Sequence, residues 1–220
     1  MVDINNRWTL VTGASRGVGR RVAKALAEKG CKLILHSRSV EGTRDLVEEL
    51  RALGCEVYAI EAELDSIADV ARLIKEVTTI TDNHLDILYN NAAIMTAYRP
   101  IFEPTIEDYR KSFMVNSIAP IKLADAFLPA MIERNWGRVV NVTSGIADQP
   151  QLMAYSCSKA ALDRYVRDMI PTLQGSNVLM NLLDPGWLRT DLGGEQAPNH
   201  PDSVLPGALI PVLLVQEKGS

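Results

Sequence analysis

Cysteine is scarce in this sequence, and its positions are dispersed. The three cysteines of the 220 residues, Cys31, Cys55 and Cys157, form an odd set without a Cys-x-x-Cys pair. This excludes a disulfide-stapled fold and favours a reducing, cytoplasmic compartment. No metal site is expected, because the histidines are equally dispersed: His36, His84 and His200.

Long hydrophobic runs and clustered positive charge are also lacking. Aliphatic stretches such as 212–215 are far shorter than the ~20 residues of a membrane-spanning helix. The start, MVDINNRW, has no signal-peptide core. The 23 basic and 27 acidic residues give a net charge of −4, and no basic stripe offers a grip on a phosphate backbone. We therefore expect neither a membrane nor a nucleic acid as partner.

What the sequence does contain is an alternation of short apolar runs with longer amphipathic stretches. With 47% hydrophobic residues, the chain can bury the core of one globular domain, expected over 1–220. Six strands are predicted at 8–11, 32–35, 56–60, 86–89, 139–142 and 178–183. Helices of crossover length between strands predict a doubly wound parallel sheet of the α/β class, in three layers α/β/α.

Several helix boundaries are also predicted. Capping boxes are expected at Ser66–Asp69 and Thr105–Asp108. Long helices are expected over about 105–134, with a break at Pro120, and over about 152–173. Glycines and prolines crowd the last part of the chain, so 193–220 is expected to form a loop-rich flap and a C-terminal helix region, with the helix at 204–215.

A glycine-rich segment, TGASRGVG at 12–19, joins the first predicted strand to the first helix. Glycines there let the backbone approach a pyrophosphate, whose charge the helix N-terminus favours. Glycines after a strand can instead be simple turn formers. The pattern therefore indicates, without proving, a dinucleotide site.

The end of the second strand bears on the cofactor. A carboxylate at this position would favour NAD, but the residues there, His36, Ser37 and Arg38, include none. A second arginine, Arg16, lies in the glycine loop. Two guanidinium groups suit the 2′-phosphate of NADP, although both could be solvated surface arginines. NADP is the expected cofactor, ahead of NAD.

Tyr155 and Lys159 are four residues apart at the start of a predicted helix, and their side chains share one face. A nearby ammonium stabilises a phenolate and draws its pKa toward neutrality. Such a pair suits acid–base catalysis, but the spacing alone also arises by chance.

The combination and order of motifs resembles the short-chain dehydrogenase/reductase family. The motifs are TGASRGVG at 12–19, NNAA at 90–93, Asn116, Ser144, YSCSK at 155–159 and PGWLRT at 185–190. The resemblance implies a Rossmann-like domain that interconverts a carbonyl and an alcohol with NAD(P). It implies that Tyr155 protonates the carbonyl oxygen, Lys159 lowers the tyrosine pKa and holds the nicotinamide ribose, Ser144 donates a hydrogen bond to the substrate oxygen, and Asn116 helps hold a water.

The resemblance also implies the residues along the cofactor, with Glu63 and Leu64 near the adenine and Asn90 as a brace between strands. The cofactor-binding set is Gly13, Ser15, Arg16, Gly17, Val18, Gly19, Ser37, Arg38, Glu63, Leu64, Asn91, Ala92, Ala93, Tyr155, Lys159, Pro185, Gly186, Leu188 and Thr190.

Three features depart from the family pattern. The family's NNAG motif is NNAA in this sequence, at 90–93. The loop from Ser144 to Tyr155 is about two residues shorter than the family pattern predicts. No candidate for the family's last strand follows the flap. Met153, Tyr98 and Trp187 could line a substrate pocket, fill the core or contact a second subunit.

We expect an NADP-dependent oxidoreductase acting on a small-molecule carbonyl or secondary alcohol, with 3-oxoacyl chains, small ketones and aldehydes as candidate substrates. The alternative is an NADP-binding sensor or scaffold without turnover. A homodimer or homotetramer is expected through the helices near 118–134 and 152–173, because both carry apolar residues on more than one face.

Overall fold

The computed structural model describes residues 1–215; residues 216–220 of the predicted C-terminal region lie outside the described part. Six parallel strands form one sheet in the order β3-β2-β1-β4-β5-β6. They are β1 (Trp8–Thr12), β2 (Lys32–Ser37), β3 (Val57–Glu61), β4 (Ile87–Asn90), β5 (Gly137–Val142) and β6 (Val178–Leu183). The predicted α/β fold class is confirmed, and each predicted strand end lies within two residues of the observed one.

Helices cover both faces of the sheet, as long parallel crossovers require. They are α1 (Gly17–Ala27), α2 (Arg44–Ala52), α3 (Ile67–Thr81), α4 (Ile106–Phe113), α5 (Ala119–Glu133), α6 (Met153–Leu173) and α7 (Ile210–Leu213). Side chains alternate along each strand, so Val11 packs in one apolar cluster with Val22 and Leu26 of α1. Its neighbour Leu10 packs in the opposite cluster, with Leu73 of α3.

The two predicted capping boxes differ in completeness. At the start of α4, Thr105 Oγ1 accepts from the Asp108 amide at 3.2 Å, and the Asp108 carboxylate accepts from the Thr105 amide at 2.8 Å. At the start of α3, Ser66 Oγ accepts from the Asp69 amide as predicted, but the Asp69 carboxylate accepts from the Glu63 amide at 2.9 Å. The Asp69 carboxylate thus connects the segment that follows β3 to the start of α3.

The break in the long helix precedes the predicted position at Pro120. A π-helical turn, Met114–Ile118, separates α4 from α5, and Pro120 lies in the first turn of α5. Proline has no amide hydrogen, so the carbonyl of Asn116, four residues earlier, has no α-helical donor. The proline acts on the preceding turn, and Asn116 lies inside it.

The predicted helix over 204–215 is wrong in its length, because only Ile210–Leu213 is α-helical. Two short 3₁₀ turns, Pro201–Val204 and Gly207–Leu209, precede the four-residue α7. Pro206 and Gly207 interrupt helical propagation between the turns. Within residues 1–215 no strand pairs with the outer edge of β6.

The helical run Ile106–Glu133, which includes the π-helical turn, is long and apolar enough to cross a bilayer by length and composition alone. In this fold 56% of its apolar window is buried. The run packs against β4, β5, α3 and α6, as a core helix does.

Candidate active site

A cleft of about 1410 Å³ opens at the carboxyl ends of the strands. It lies beside the point where strand order reverses, between β1 and β4, which is where doubly wound sheets bind ligands. Drug-sized ligand pockets occupy roughly 300–1,000 Å³, so this cleft has room for a large cofactor and a second molecule. Every predicted catalytic and cofactor-binding residue lines it except Gly19 and Asn116, which are buried.

The glycine loop forms a cradle that side chains would fill. Gly13 and Gly17 adopt positive φ angles of 67° and 58°. A Cβ at Gly13 would lie 2.8 Å from the Ala92 Cα, and one at Gly19 only 2.3 Å from the Gly13 carbonyl oxygen. The loop therefore packs at backbone distance on the segment after β4, and glycine is required for that contact.

Thr12 and Asn91 bind these two segments together. Thr12 Oγ1 accepts from the amides of Asn91 and Ala92, each at 3.0 Å. Asn91 Nδ2 donates to the carbonyls of Thr12 and Gly13 at 2.9 and 3.1 Å. The side chain of Asn91 thus acts as a brace for the glycine loop while its residue lines the cleft. Asn90, the predicted brace, donates to Asn141 Oδ1 at 2.9 Å between β4 and β5.

His36 lies behind the glycine loop, a contact that the sequence did not reveal. Its Nδ1 accepts from the Gly13 amide at 3.3 Å, while Nε2 lies 3.0 Å from the Ala62 carbonyl. Burial lowers the pKa of His36 to about 4, so the ring is neutral with its proton on Nε2. The ring connects the loops that follow β1 and β3.

Arg16 and Arg38 both line the cleft near Ser37, and both are exposed. The Arg16 guanidinium forms an ion pair of 2.7 Å with Asp191, in the loop after β6. Both predicted arginines thus line one cleft, and Arg16 already has one anionic neighbour.

Tyr155 and Ser144 meet at the other end of the cleft, at the start of α6 and the end of β5. Burial raises the pKa of the Tyr155 phenol, and the charge of Asp184 acts in the same direction. The neighbouring Ser144 hydroxyl acts to lower that pKa. The phenol is therefore held in its protonated form, as a proton donor.

Lys159 is buried one helical turn further along α6. Its ammonium donates to the Val142 carbonyl at 2.7 Å, at the end of β5. Burial lowers the pKa of Lys159 to about 8, against an opposing contribution from Asp163. The expected lowering of the tyrosine pKa by Lys159 is not the main effect here, because burial dominates the pKa of both groups.

Asn116 is wholly buried, and its side chain bonds to protein groups. Oδ1 accepts from the Ile94 amide at 2.9 Å, and Nδ2 donates to the Ile94 carbonyl and to Ser158 Oγ, both at 3.0 Å. Ser158 in turn donates to the Tyr155 carbonyl at 2.7 Å. Asn116 therefore fixes the start of α6 against the loop after β4.

Asp184 links two loops of the site and was missed from sequence. Its Oδ2 accepts from the Gly145 amide at 2.8 Å, and its Oδ1 accepts from the Gly186 amide at 2.9 Å. Gly145 follows Ser144, and Gly186 lies in the loop after β6. The position of Asp184 directly before the PGW segment was the one available signal.

Tyr98 and Trp187, two of the three residues considered as possible pocket walls, line the cleft. Met153, the third, is not among the lining residues and is 40% exposed.

The residues fit NADP. Helix α1 begins at Gly17 with no side-chain cap and no acidic residue in its first turn. Its N-terminal amides are thus available to a pyrophosphate over the glycine cradle. Ser37, Arg16 and Arg38 at one end, and Tyr155 and Lys159 at the other, match the two ends of such a molecule.

Comparison with known proteins agrees with this geometry. The hydroxynaphthalene reductase-like protein Arp2 of Metarhizium anisopliae is 31% identical over 209 residues, covering 93% of this chain and 77% of its own length. The 3-oxoacyl-[acyl-carrier-protein] reductase FabG of Aquifex aeolicus is 30% identical over 194 residues, covering 87% and 77%.

Among solved structures, a metagenomic short-chain oxidoreductase in complex with NADP superposes with a TM-score of 0.84 at 28% identity, covering 98% of this chain and 95% of that one. The predicted cofactor agrees with that complex. The family model described as short chain dehydrogenase matches residues 7–201. The chain therefore belongs to the short-chain dehydrogenase/reductase family of oxidoreductases.

Proposed function

We propose that this protein reduces a carbonyl compound to an alcohol with NADPH, reversibly, using Ser144, Tyr155 and Lys159. The observation that supports this is that all three line one cleft together with Arg16 and Arg38, and that the Tyr155 and Ser144 hydroxyls are hydrogen-bond neighbours. One continuous cleft thus joins a phosphate-binding end to a buried phenol.

NADPH, when bound, supplies a hydride to the carbonyl carbon. Tyr155 gives its hydroxyl proton to the carbonyl oxygen, and the phenol is suited to this because burial keeps it protonated. Ser144 donates a hydrogen bond to the same oxygen, where negative charge develops. The alcohol product then carries one hydrogen from each source.

Lys159 restores the proton to Tyr155. Its pKa of about 8 allows it to exchange a proton close to neutral pH. Asn116 positions these groups by holding Ser158 and the loop at Ile94. Its backbone carbonyl, deprived of an α-helical donor by Pro120, is the group we assign to the expected water.

The test follows NADPH consumption over a panel of ketones, aldehydes and 3-oxoacyl thioesters. Tyr155→Phe should lower kcat by about 1,000-fold or more, because the proton donor is removed. Its affinity for NADPH should stay within about threefold of the parent value. Tyr58→Phe, at a partly exposed tyrosine of β3, is the matched control and should retain activity. Retained turnover in Tyr155→Phe would refute the assignment.

The similarity to a 3-oxoacyl-[acyl-carrier-protein] reductase and to a hydroxynaphthalene reductase-like protein makes 3-oxoacyl thioesters and hydroxynaphthalene-related compounds candidate substrates. Small ketones and aldehydes also fit the reaction. The non-catalytic NADP sensor is not favoured, because the family is one of oxidoreductases and Ser144, Tyr155 and Lys159 line one cleft.

We also propose a cytoplasmic homodimer or homotetramer. Ile118 and Ile170, in the helical regions expected to associate, are 40% and 53% exposed. Light scattering that gives a stable monomer of the full protein would contradict the assembly.

A further inference from the structure

The substrate end of the cleft differs in chemistry from the cofactor end. Beyond Ser144 and Tyr155 its walls come from the loops after β4, β5 and β6. The apolar lining residues are Ile94, Met95, Tyr98, Val115, Ile146, Ala147, Leu152, Trp187 and Leu192. Apart from His36 and the two arginines of the cofactor end, the basic side chains that line the cleft among residues 1–215 are Lys111, which lies 3.7 Å from Glu107, and Lys159, which is buried and donates to the Val142 carbonyl. This end therefore offers a substrate little compensation for a carboxylate or phosphate.

Trp187 is exposed but held in place. Its indole Nε1 donates to the Gly193 carbonyl at 2.7 Å, and its own carbonyl accepts from Asn199 Nδ2 at 3.1 Å. A Cβ at Gly193 would come within 3.4 Å of the indole Cδ1, so the flap backbone packs on the ring edge. The polar atom of the ring is satisfied internally, and 57% of the residue stays accessible. The ring thus presents an apolar surface without a large entropy cost on binding.

Tyr98 is braced through its neighbour. Arg99 Nε donates to Asp108 Oδ2 at 2.8 Å, and the Arg99 amide donates to the Gln151 carbonyl at 3.2 Å. The Arg99 and Thr105 hydrogen bonds lower the pKa of Asp108 to about 2, so this brace persists over the working pH range. Tyr98 itself is 66% exposed.

The sheet order brings these two rings into the cleft from the strands on either side of β5, which precedes Ser144. Tyr98 follows β4, Ser144 follows β5 and Trp187 follows β6, and these strands are neighbours in that order. A substrate whose carbonyl reaches Ser144 and Tyr155 therefore lies in the cleft that both aromatic side chains line.

We propose that this end of the cleft selects an uncharged carbonyl compound with a bulky or fused ring system, held between Tyr98 and Trp187. The proposal rests on the proposed reductase function and narrows it. Acyl-carrier thioesters would be poor substrates because they place no ring between Tyr98 and Trp187, and sugar acids because both lysines that line this end already have partners.

The test compares four carbonyl probes with NADPH: β-tetralone, a carboxylate-bearing tetralone, butanone and acetoacetyl coenzyme A. We expect kcat/KM for β-tetralone to exceed that for each of the others by about 100-fold. Preference for the carboxylate, for butanone or for the thioester would overturn the proposal while leaving the reductase function intact. No NADPH consumption with any carbonyl would overturn both.

Variants then locate the selectivity. Trp187→Ala and Tyr98→Ala should each lower the ratio of kcat/KM for β-tetralone to that for butanone by about tenfold or more, because one apolar wall is lost. Phe102→Ala is the matched control: Phe102 belongs to the same loop as Tyr98, is 98% exposed and does not line the cleft. Its ratio should match that of the parent protein.

Two further measurements, NADPH affinity and tryptophan fluorescence, separate a loss of selectivity from a general loss of structure. NADPH affinity should stay within about threefold in every variant, since Tyr98, Phe102 and Trp187 are outside the predicted cofactor-binding set. Quenching of tryptophan fluorescence by β-tetralone should be weakened in Trp187→Phe. An unchanged selectivity ratio in both alanine variants, with NADPH affinity retained, would overturn the proposal.

Discussion

The two ends of the cleft are built by different means. The cofactor end is made of backbone: Gly13, Gly17 and Gly19 bring one loop against another at distances that a Cβ would not allow. The substrate end is made of side chains on the loops after β4, β5 and β6, with Tyr98 and Trp187 as its aromatic walls. A cradle of backbone recognises a constant ligand, whereas side-chain walls can change the substrate without altering the fold.

The cofactor end should be the less tolerant of the two. Gly13→Ala places a methyl 2.8 Å from the Ala92 Cα at a positive φ, so we expect NADPH affinity to fall by at least about 100-fold. The measurement is a titration of NADPH fluorescence.

Gly175→Ala is its matched control. Gly175 also has a positive φ, of 81°, but a Cβ there would meet nothing within 4 Å. This variant should lose about 1 kcal/mol of unfolding free energy and keep its NADPH affinity. Equal NADPH affinities for the two variants would contradict the cradle.

The next largest effect is expected from the two arginines proposed to bind the 2′-phosphate of NADPH. Replacing Arg16 and Arg38 together by alanine should weaken NADPH binding by about 10- to 100-fold, because two charge-assisted contacts are lost. NADH binding should change little. Equal loss for both cofactors, measured by the same titration, would show that the arginines do not recognise the 2′-phosphate.

Asp184 ties the loop after β5 to the loop after β6 and should affect rate and pH dependence together. Asp184→Asn keeps one acceptor oxygen for Gly145 or Gly186, so kcat/KM should fall by about tenfold. Removing the negative charge should also lower the Tyr155 pKa, since that charge raises it. Reduction needs the protonated phenol, so activity should be lost at a lower pH than in the parent protein.

The control for this pH profile is Asp168→Asn, at an exposed carboxylate on α6 that pairs with Arg164. Its profile should match that of the parent protein. If the loss of activity at high pH occurs at the same pH in Asp184→Asn as in the parent protein, Asp184 only holds the two loops together and does not affect the Tyr155 pKa.

The smallest expected effect concerns the loop after β6. Asp191 competes for the Arg16 guanidinium, so Asp191→Asn should tighten NADPH binding by about two- to fivefold. The gain should shrink as salt screens the ion pair. Weaker NADPH binding in this variant would mean that Asp191 supports the cofactor site instead of opposing it.

Local patterns predicted much of this fold. Strand ends followed from apolar runs, and the Thr105–Asp108 box formed as the spacing indicated. The break near Pro120 was misplaced because a proline disturbs the carbonyl four residues before it, and the result depends on how the turn repacks. The helix expected at 204–215 fails because Pro206 and Gly207 outweigh its apolar periodicity.

For the candidate site, motif order brought together the residues that line the cleft, but it did not reveal what supports them. His36 meets Gly13, and Asp184 meets Gly145, across separations of 23 and 39 residues. Such contacts depend on strand order, which no local pattern specifies. The same holds for Asn116, whose side chain proved to be a link to Ser158, 42 residues away.

The most direct test of the joined cleft follows the labelled hydride into the product and tests the proton donor by mutation. NADPH deuterated at its transferable position should yield an alcohol with one deuterium on the former carbonyl carbon, and single-turnover transfer should be slowed by about 1,000-fold in Tyr155→Phe. Product without deuterium, or equal transfer rates in the two proteins, would contradict a mechanism in which a cofactor over the glycine loop and the Tyr155 phenol act on one substrate.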